Sequence, residues 1–503
     1  MTTQSPDAAA TPTVTPVAVT TETRTKIVAT LGPATESPEV LDELLRAGVD
    51  VVRLNLSHGT LESHLERLKA VRAAALRVDQ VVAVLADLPG PKVRAGQFPQ
   101  GGCELVGGSS LALVPGEGAS RADLITVDYP TVLDDLQPGD RVVLGDGAIS
   151  VGVDSVTAEG AMCTVLTGGH VQGRPGVHLP SDRLRLTTPT EDDLVLARAM
   201  ATAGVDFLAV SFVRAANDLR LVREAIAPHQ TRLVAKIETM PAVTALESIA
   251  AEADAIMVAR GDLGIECPLE DVPHLQKRII RHCVEVGVPV ITATQMMESM
   301  ITSPSPTRAE VSDIANAVFD GTDALMLSAE TAIGADPPGV VRTMVRIAGR
   351  AEAEASYAQW ASRLGRVQRD QWHDDTMSVG QDRITMAITH AAGQAAADAG
   401  AHAILCCTRT GRTTRAMARF RPSATLIGLS PDPATVRAMS LTWGVRALEV
   451  GTYHSTDDLV WFAVERAVQS GLVKSGDTVL VLAGAPDRPS GASTDVLRIV
   501  RVS

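Results

Sequence analysis

The stretches Arg232-Leu233-Val234-Ala235-Lys236-Ile237-Glu238 and Asp254-Ala255-Ile256-Met257-Val258-Ala259-Arg260-Gly261-Asp262 decide the fold. Each is a short apolar run that ends in charge. Residues two apart on an extended chain face the same side, so Lys236 and Glu238 project together. Asp262 follows the next run and offers a second carboxylate. Of 45 basic residues only six are lysines, so Arg serves almost wherever a generic positive charge is wanted. A Lys kept inside an apolar strand marks chemistry that needs a compact point charge rather than a planar fork. Two carboxylates beside a Lys suit a divalent ion and a phosphate.

Working outward, the same kind of run recurs at 26–31, 49–56, 81–88, 205–213, 288–295 and 323–330, which makes eight in all. Helical stretches such as 38–47, 60–77, 190–203, 217–227 and 270–286 separate most of them. Another begins at Thr307, where Thr307 and Glu310 have the spacing of a capping box. Eight βα units with near-continuous apolar strands predict a parallel (β/α)8 barrel, with a doubly wound open sheet as the competing fold. Polar residues gather at the C-terminal ends of the runs: Arg53, Asn55, Ser57, Asp87, Ser211, Lys236, Glu238, Asp262, Thr292, Thr294, Ser328 and Glu330. Any one of them reads as a strand end meeting solvent. Taken together they lie where barrel active sites are built.

Residues 89–204 separate the third run from the fourth, too many for one crossover helix. Within them, 95–182 are Gly-rich with short β-like pieces, and read as a small β-barrel domain inserted after strand 3, placed to act as a lid. The barrel then occupies 24–94 and 183–350, a linker 351–381, and a second α/β pattern 382–503. The first strand of that pattern leads into Thr408-Arg409-Thr410-Gly411-Arg412-Thr413-Thr414, just before a helix. Hydroxyls, Gly and Arg at that place read equally as a phosphate cradle or as ordinary capping. Residues 1–23, rich in Thr, Ala and Pro with Arg24 as the first basic residue, read as a disordered tail without the features of a signal peptide.

The net charge of −14 disfavours nucleic acid and anionic membrane as partners. No apolar run approaches the roughly 20 residues that span a bilayer. The six cysteines lack CxxC spacing and imply reduced thiols and a cytoplasmic location. There is no G-x-x-x-x-G-K-[ST] and no protein-kinase signature set, so any nucleotide is held by another scheme.

The stretches TKIVATLGPAT (25–35), VDVVRLNLSHG (49–59), LPGPKVR (88–94), AKIETMPAV (235–243), DAIMVARGDLG (254–264), TATQMMESM (292–300) and PTRAEVSDIANAVFDGTDALMLSAET (306–331) resemble the pyruvate kinase family. The resemblance runs from about residue 24 to the end. It implies a barrel with an inserted β domain and a C-terminal effector domain, usually in a homotetramer. It also implies transfer of the phosphoryl group of phosphoenolpyruvate to ADP, giving pyruvate and ATP, with Mg²⁺ or Mn²⁺. By resemblance, Glu238 and Asp262 hold the metal, Lys236 neutralises charge on the phosphoryl group and enolate, and Arg53 clamps the phosphoryl oxygens. The amides around Gly261 and Asp262 hold the substrate carboxylate, and Thr294 joins that contact near proton delivery. Pro33, Asn55, His58 and Arg94 match nucleotide-binding positions; for His58, capping of a neighbouring backbone group is an equal reading. Asn55, Ser57 and Asp87 match a monovalent-cation site.

Three departures stand out. Lys92 replaces a Glu that many members carry, so a tethered ammonium supplies the positive charge and K⁺ is not required. Ser63 replaces a common aromatic that contacts adenosine. Asp192 falls where a Lys supports the ATP γ-phosphate. Residues Arg488-Pro489-Ser490-Gly491-Ala492-Ser493 resemble a loop that closes on a phosphorylated effector, so Arg488 joins Thr408, Thr410, Gly411, Arg412, Thr413 and Thr414 as the effector set. The effector itself stays open between fructose bisphosphate, a sugar monophosphate and AMP. Two other readings stand beside this one: an Mg²⁺-dependent barrel lyase or aldolase acting on pyruvate enolates, and a non-catalytic paralogue that senses sugar phosphates.

Overall fold

A computed structural model describes residues 23–145, 147–180, 185–373, 383–453, 455–484 and 493–503. The eight apolar runs form a closed parallel barrel from Lys26–Thr30, Val51–Asn55, Ala83–Asp87, Phe207–Val210, Arg232–Ile237, Ala255–Ala259, Val290–Ala293 and Ala324–Leu327. The last strand pairs with the first, Lys26 opposite Ala324. Alternation along each strand divides the apolar residues between two cores. Val234 packs inside the barrel with Val28, Leu85, Met257 and Met326, whereas Leu233, Ala235 and Ile237 pack outward against the helices. Lys236 therefore shares the inward face of Val234, and emerges at the C-terminal rim.

Local signals set the helices. Thr307 and Glu310 form the expected reciprocal cap on Arg308–Asp320, which ends at Gly321 in the left-handed region (φ +97°). A Cβ at Gly321 would also collide with the Trp360 ring.

The insertion after the third strand folds around its own core, including Phe98, Leu113, Val142 and Val151. It contains a six-stranded sheet and a two-stranded ribbon. The C-terminal unit is a five-stranded sheet whose last strand, Val496–Arg501, runs antiparallel to Thr478–Ala483.

This unit closes the base of the barrel. Ala438 and Leu441 enter the inner core. Around them, acids at the N-terminal ends of barrel strands meet arginines of the C-terminal unit. Asp206 pairs with Arg437 at 2.7 Å, and Asp323 with Arg421 at 3.0 Å. These carboxylates are buried and also accept backbone amides from Val84 and Val290. Satisfied in this way, they lock the two units in one register rather than acting as loose surface ion pairs.

Candidate active site

At the opposite rim lies a cleft of about 370 Å³ between the barrel and the inserted domain. Arg53, Asn55, Ser57, Asp87, Lys236, Glu238 and Asp262 line it from the barrel, and Lys92 and Arg94 from the segment that enters the insertion, where Arg94 pairs with Gly176. Gly145, Gly176, His178 and Leu179 close it from the insertion. Nine sequence-predicted site residues thus converge from several strands.

Lys236 is the centre of the charge arrangement. Its Nζ lies 2.8 Å from Glu238 Oε1 and 3.4 Å from Asp87 Oδ1, and it donates to Ser211 Oγ at 2.7 Å. Ser211 in turn donates to the carbonyl of Leu88 at 2.8 Å, which fixes its lone pairs toward the ammonium. Burial works against the charge on Lys236, but Asp87, Glu238 and Asp262 outweigh it and hold the ammonium well above its ordinary pKa. Asp87 also takes Arg53 Nε at 2.7 Å. Burial opposes its ionisation, yet Lys236 and Arg53 keep its carboxyl below the usual range. Asp87, expected as a ligand for a monovalent cation, is here the counter-ion of both Arg53 and Lys236.

Glu238 is buried, with Oε2 accepting the amide of Phe212 at 2.6 Å. Phe212 has φ +53°, a left-handed backbone that turns this amide onto the carboxylate. Burial pushes the Glu238 carboxyl well above the usual carboxylate range, against the pull of Lys236.

Thr294 and Gly261 sit together beside Asp262. The Gly261 amide donates to Thr294 Oγ1 at 2.8 Å, and that hydroxyl donates to the carbonyl of Ala293 at 2.7 Å. The Gly261 amide, expected to face the substrate carboxylate, is therefore engaged within the protein. Arg260–Glu266 is helical, so the amides do open a helix as expected.

Of the predicted active-site residues, Pro33, His58, Gly261 and Thr294 lie outside the lining, and Pro33 and His58 are exposed. The carbonyl of His58 is held by buried His64 at 2.7 Å. Burial depresses the His58 pKa, and the charges of Lys92, Arg94 and Arg53 add to the effect.

Two departures acquire structural reasons. Ser63 completes a capping box with Thr60 at the start of Leu61–Val78. Asp192 lies in the first turn of Glu191–Thr202, beside Asp193, which completes the capping box with Thr190 and accepts the Gly90 amide at 3.0 Å on the hinge to the insertion. In the C-terminal unit, Gly411 (φ +80°) donates its amide to Thr408 Oγ at 3.0 Å, and Thr413 pairs with Thr494 at 2.6 Å. Arg488 lies outside the described residues.

Sequence reasoning gave no role to Ser211, Phe212 or Arg260, nor to His178 and Glu266 of the lining. Only Ser211 left a signal, as a polar residue at a strand end.

Comparison with known proteins places the chain in one family. The pyruvate kinase barrel domain matches residues 22–341, and the pyruvate kinase alpha/beta domain matches residues 386–500. The chain belongs to the pyruvate kinase family. It is 40% identical over 489 residues to a pyruvate kinase of Geobacillus stearothermophilus, covering 95% of this chain and 80% of that protein. It is 37% identical over 480 residues to one from Staphylococcus aureus (strain MRSA252), with the same coverage. It is accordingly a phosphotransferase, with phosphoenolpyruvate and ADP as the family's substrates and Mg²⁺ as the family's metal. The lyase and sensor alternatives fall with this match.

The residues present fit Mg²⁺. Glu238 Oε1 is buried and has no hydrogen-bond partner; its 2.8 Å approach to Lys236 is an ion pair without hydrogen-bond alignment. Asp262 faces the same cleft. No group of three or more His, Cys, Asp or Glu suited to a metal occurs among the described residues. Two hard carboxylates with substrate oxygens and water completing the shell is how Mg²⁺ is commonly bound.

Proposed function

We propose that this chain transfers the phosphoryl group of phosphoenolpyruvate to ADP with the following division of labour. Glu238 and Asp262 hold Mg²⁺, which when bound neutralises phosphoryl charge as a Lewis acid. Arg53, fixed by Asp87 at Nε and by Thr30 at Nη1, presents its other guanidinium N–H groups to the phosphoryl oxygens. Lys236 stabilises the charge that builds as the bridging oxygen becomes an enolate. The enolate carbon then takes a proton, delivered through water near Thr294, since a Thr hydroxyl is too weak an acid to supply it at neutral pH. Arg94 and Asn55 serve the nucleotide, with Pro33 and His58 at its outer edge. The observation that carries this reading is one ammonium held by Ser211 between two buried carboxylates at the barrel rim. A coupled assay of pyruvate formation, with ADP and Mg²⁺ each omitted in turn, tests it. Turnover without ADP would overturn it.

Within that reading, Lys92 supplies the charge that a monovalent cation provides elsewhere. It lines the cleft, where burial, Arg94 and Lys236 lower its pKa while Asp193 and Asp87 favour its charged form. Activity should be near-full in K⁺-free buffer with a large organic counter-ion at matched ionic strength. Lys92→Glu should then create a K⁺ requirement, with stimulation of about tenfold or more, the rate equivalent of about 1.4 kcal/mol. Strong K⁺ stimulation of the unaltered enzyme would overturn the idea.

The 408–414 loop is the proposed seat of a phosphorylated effector, with Arg488 closing on it. Support comes from the left-handed Gly411 and from Thr414 Oγ1, buried without a hydrogen-bond partner. Arg412→Ala should weaken the effector's shift in phosphoenolpyruvate affinity by about fivefold or more, the lower end of typical allosteric coupling, with basal catalysis intact. Unchanged activation by every effector that works on the unaltered enzyme would refute the site. We further propose a cytoplasmic homotetramer. The cysteines described are all free, and no described helix is long and apolar enough to cross a membrane. Exposed Trp461, Phe462 and Val468 offer an apolar face for a second copy.

A further inference from the structure

Thr294 has a backbone that a β-branched residue seldom adopts, with φ +70°, and Gln295 beside it is at +54°. Such conformations are costly and persist only where the surroundings over-determine them. Arg260 provides much of that constraint. Its Nε donates to the carbonyl of Ala293 at 3.2 Å, and its Nη2 donates to that of Thr294 at 2.6 Å and reaches that of Gln295 at 3.5 Å. One planar fork thus gathers three successive carbonyls.

The fork is itself anchored. Nη1 pairs with Asp313 Oδ2 at 2.7 Å and donates to Gln276 Oε1 at 3.3 Å, which ties it to two barrel helices. Its side chain is only 10% exposed. From the other side, buried Glu330 accepts the amides of Met297 at 3.1 Å and Ser328 at 2.6 Å. The outcome of this clamp is the placement of Thr294 Oγ1 against the Gly261 amide. Arg260 immediately precedes Gly261 and Asp262, so one residue links the strand end that carries Asp262 to the one that carries Thr294. A Lys could keep the ion pair with Asp313 but could not fan across three carbonyls.

We infer that Arg260 is a positioning residue for phosphoryl transfer, acting through Thr294. It sets the Thr294 hydroxyl, held between the Gly261 amide and the Ala293 carbonyl, in the geometry that serves the proton path. The inference rests on the role proposed above for Thr294.

The test is a double-mutant cycle on the full-length enzyme with Arg260→Met, Thr294→Ala and the two combined. Near-UV circular dichroism and thermal melting establish that each variant is folded. Arg260→Met should lower kcat about 100-fold, the scale of a 1 Å misplacement, with the KM for ADP changed by less than about twofold. The combined variant should lie within about threefold of Thr294→Ala alone, because the two residues act as one unit. Arg260→Lys should melt close to the unaltered enzyme yet keep the low kcat. If Arg260→Met does not fold, Arg260→Lys takes its place in the cycle.

Losses that multiply would overturn the inference, as would an unaltered kcat in Arg260→Met or Arg260→Lys. A wild-type rate in Thr294→Ala would sink the reading of Thr294 itself. A slow Arg260→Met beside it would then show that Arg260 does not act through Thr294.

Discussion

Lys236→Ala is expected to lower kcat by about 10³-fold or more, at the upper end of what one preorganised electrostatic donor supplies. Phosphoenolpyruvate should still bind, because Arg53 is untouched. Two effects combine. The first is loss of a charge most needed when the bridging oxygen becomes an enolate. The second is that Asp87 and Glu238 lose the ammonium 3.4 Å and 2.8 Å away that compensates their buried charge. Leaving a buried carboxylate unpaired costs about 3–5 kcal/mol, so melting should fall as well. Lys236→Arg separates the two effects. It keeps a positive charge, and its fold should hold better, but a wide fork cannot take the place of an ammonium seated between Ser211, Asp87 and Glu238. Its kcat should therefore also stay far below the unaltered value. The ammonium is raised well above its ordinary pKa, so it remains charged throughout the working range, and the pH profile should show no limb from Lys236 near neutrality. The stability it gives is fully present below the unfolded Lys pKa and is lost only as pH rises through the elevated folded one. Steady-state kinetics beside phosphoenolpyruvate binding decide the matter: a kcat within about tenfold of the unaltered enzyme in either variant would remove Lys236 from the chemistry.

The barrel was legible because its strands are apolar on both faces and end in polar residues, a pattern that needs only the period of an extended chain. Shorter pieces carried no such period. Cys103–Leu105, Gly169–Val171 and Val177–His178 are each three residues or fewer, and Val496–Arg501 alternates poorly at a sheet edge. The docking of the C-terminal unit was invisible for another reason. Asp206 and Asp323 read as ordinary acids ahead of strands, and only the closed fold brings Arg437 and Arg421 to them. At the site, Lys236 and Glu238 could be paired from their spacing alone. The second tier could not. Asp87 serving two cations, Phe212 turning its amide onto Glu238, and Arg260 gathering three carbonyls all depend on backbone angles at φ > 0 or on contacts between distant strands. A β-branched Thr in the left-handed region is what propensity argues against, so the strain at Thr294 appears only in three dimensions.

The second large effect concerns the metal. Glu238→Gln and Asp262→Asn should each raise the Mg²⁺ concentration for half-maximal activity by about tenfold or more, since each removes a hard oxygen ligand and its charge. Glu238→Gln should be the more damaging. Its Oε2 accepts the Phe212 amide, and its Oε1 is the buried oxygen without a hydrogen-bond partner beside Lys236. An amide at that position must turn its NH₂ toward either another donor or an ammonium, and both are unfavourable. Asp262 is half-buried at the cleft edge, so its amide can reach water and should cost less beyond the lost charge. The partners also respond differently. Removing the Glu238 charge strips Lys236 of its nearest counter-ion at 2.8 Å, so part of the loss should persist at saturating Mg²⁺. With Asp262→Asn, high Mg²⁺ should restore more of the rate. Binding can be followed apart from turnover through the rise in melting temperature that Mg²⁺ gives the unaltered protein, which both variants should lose at the same concentration. Mg²⁺ titrations of activity and of melting that overlay the unaltered enzyme would place the metal elsewhere in the cleft.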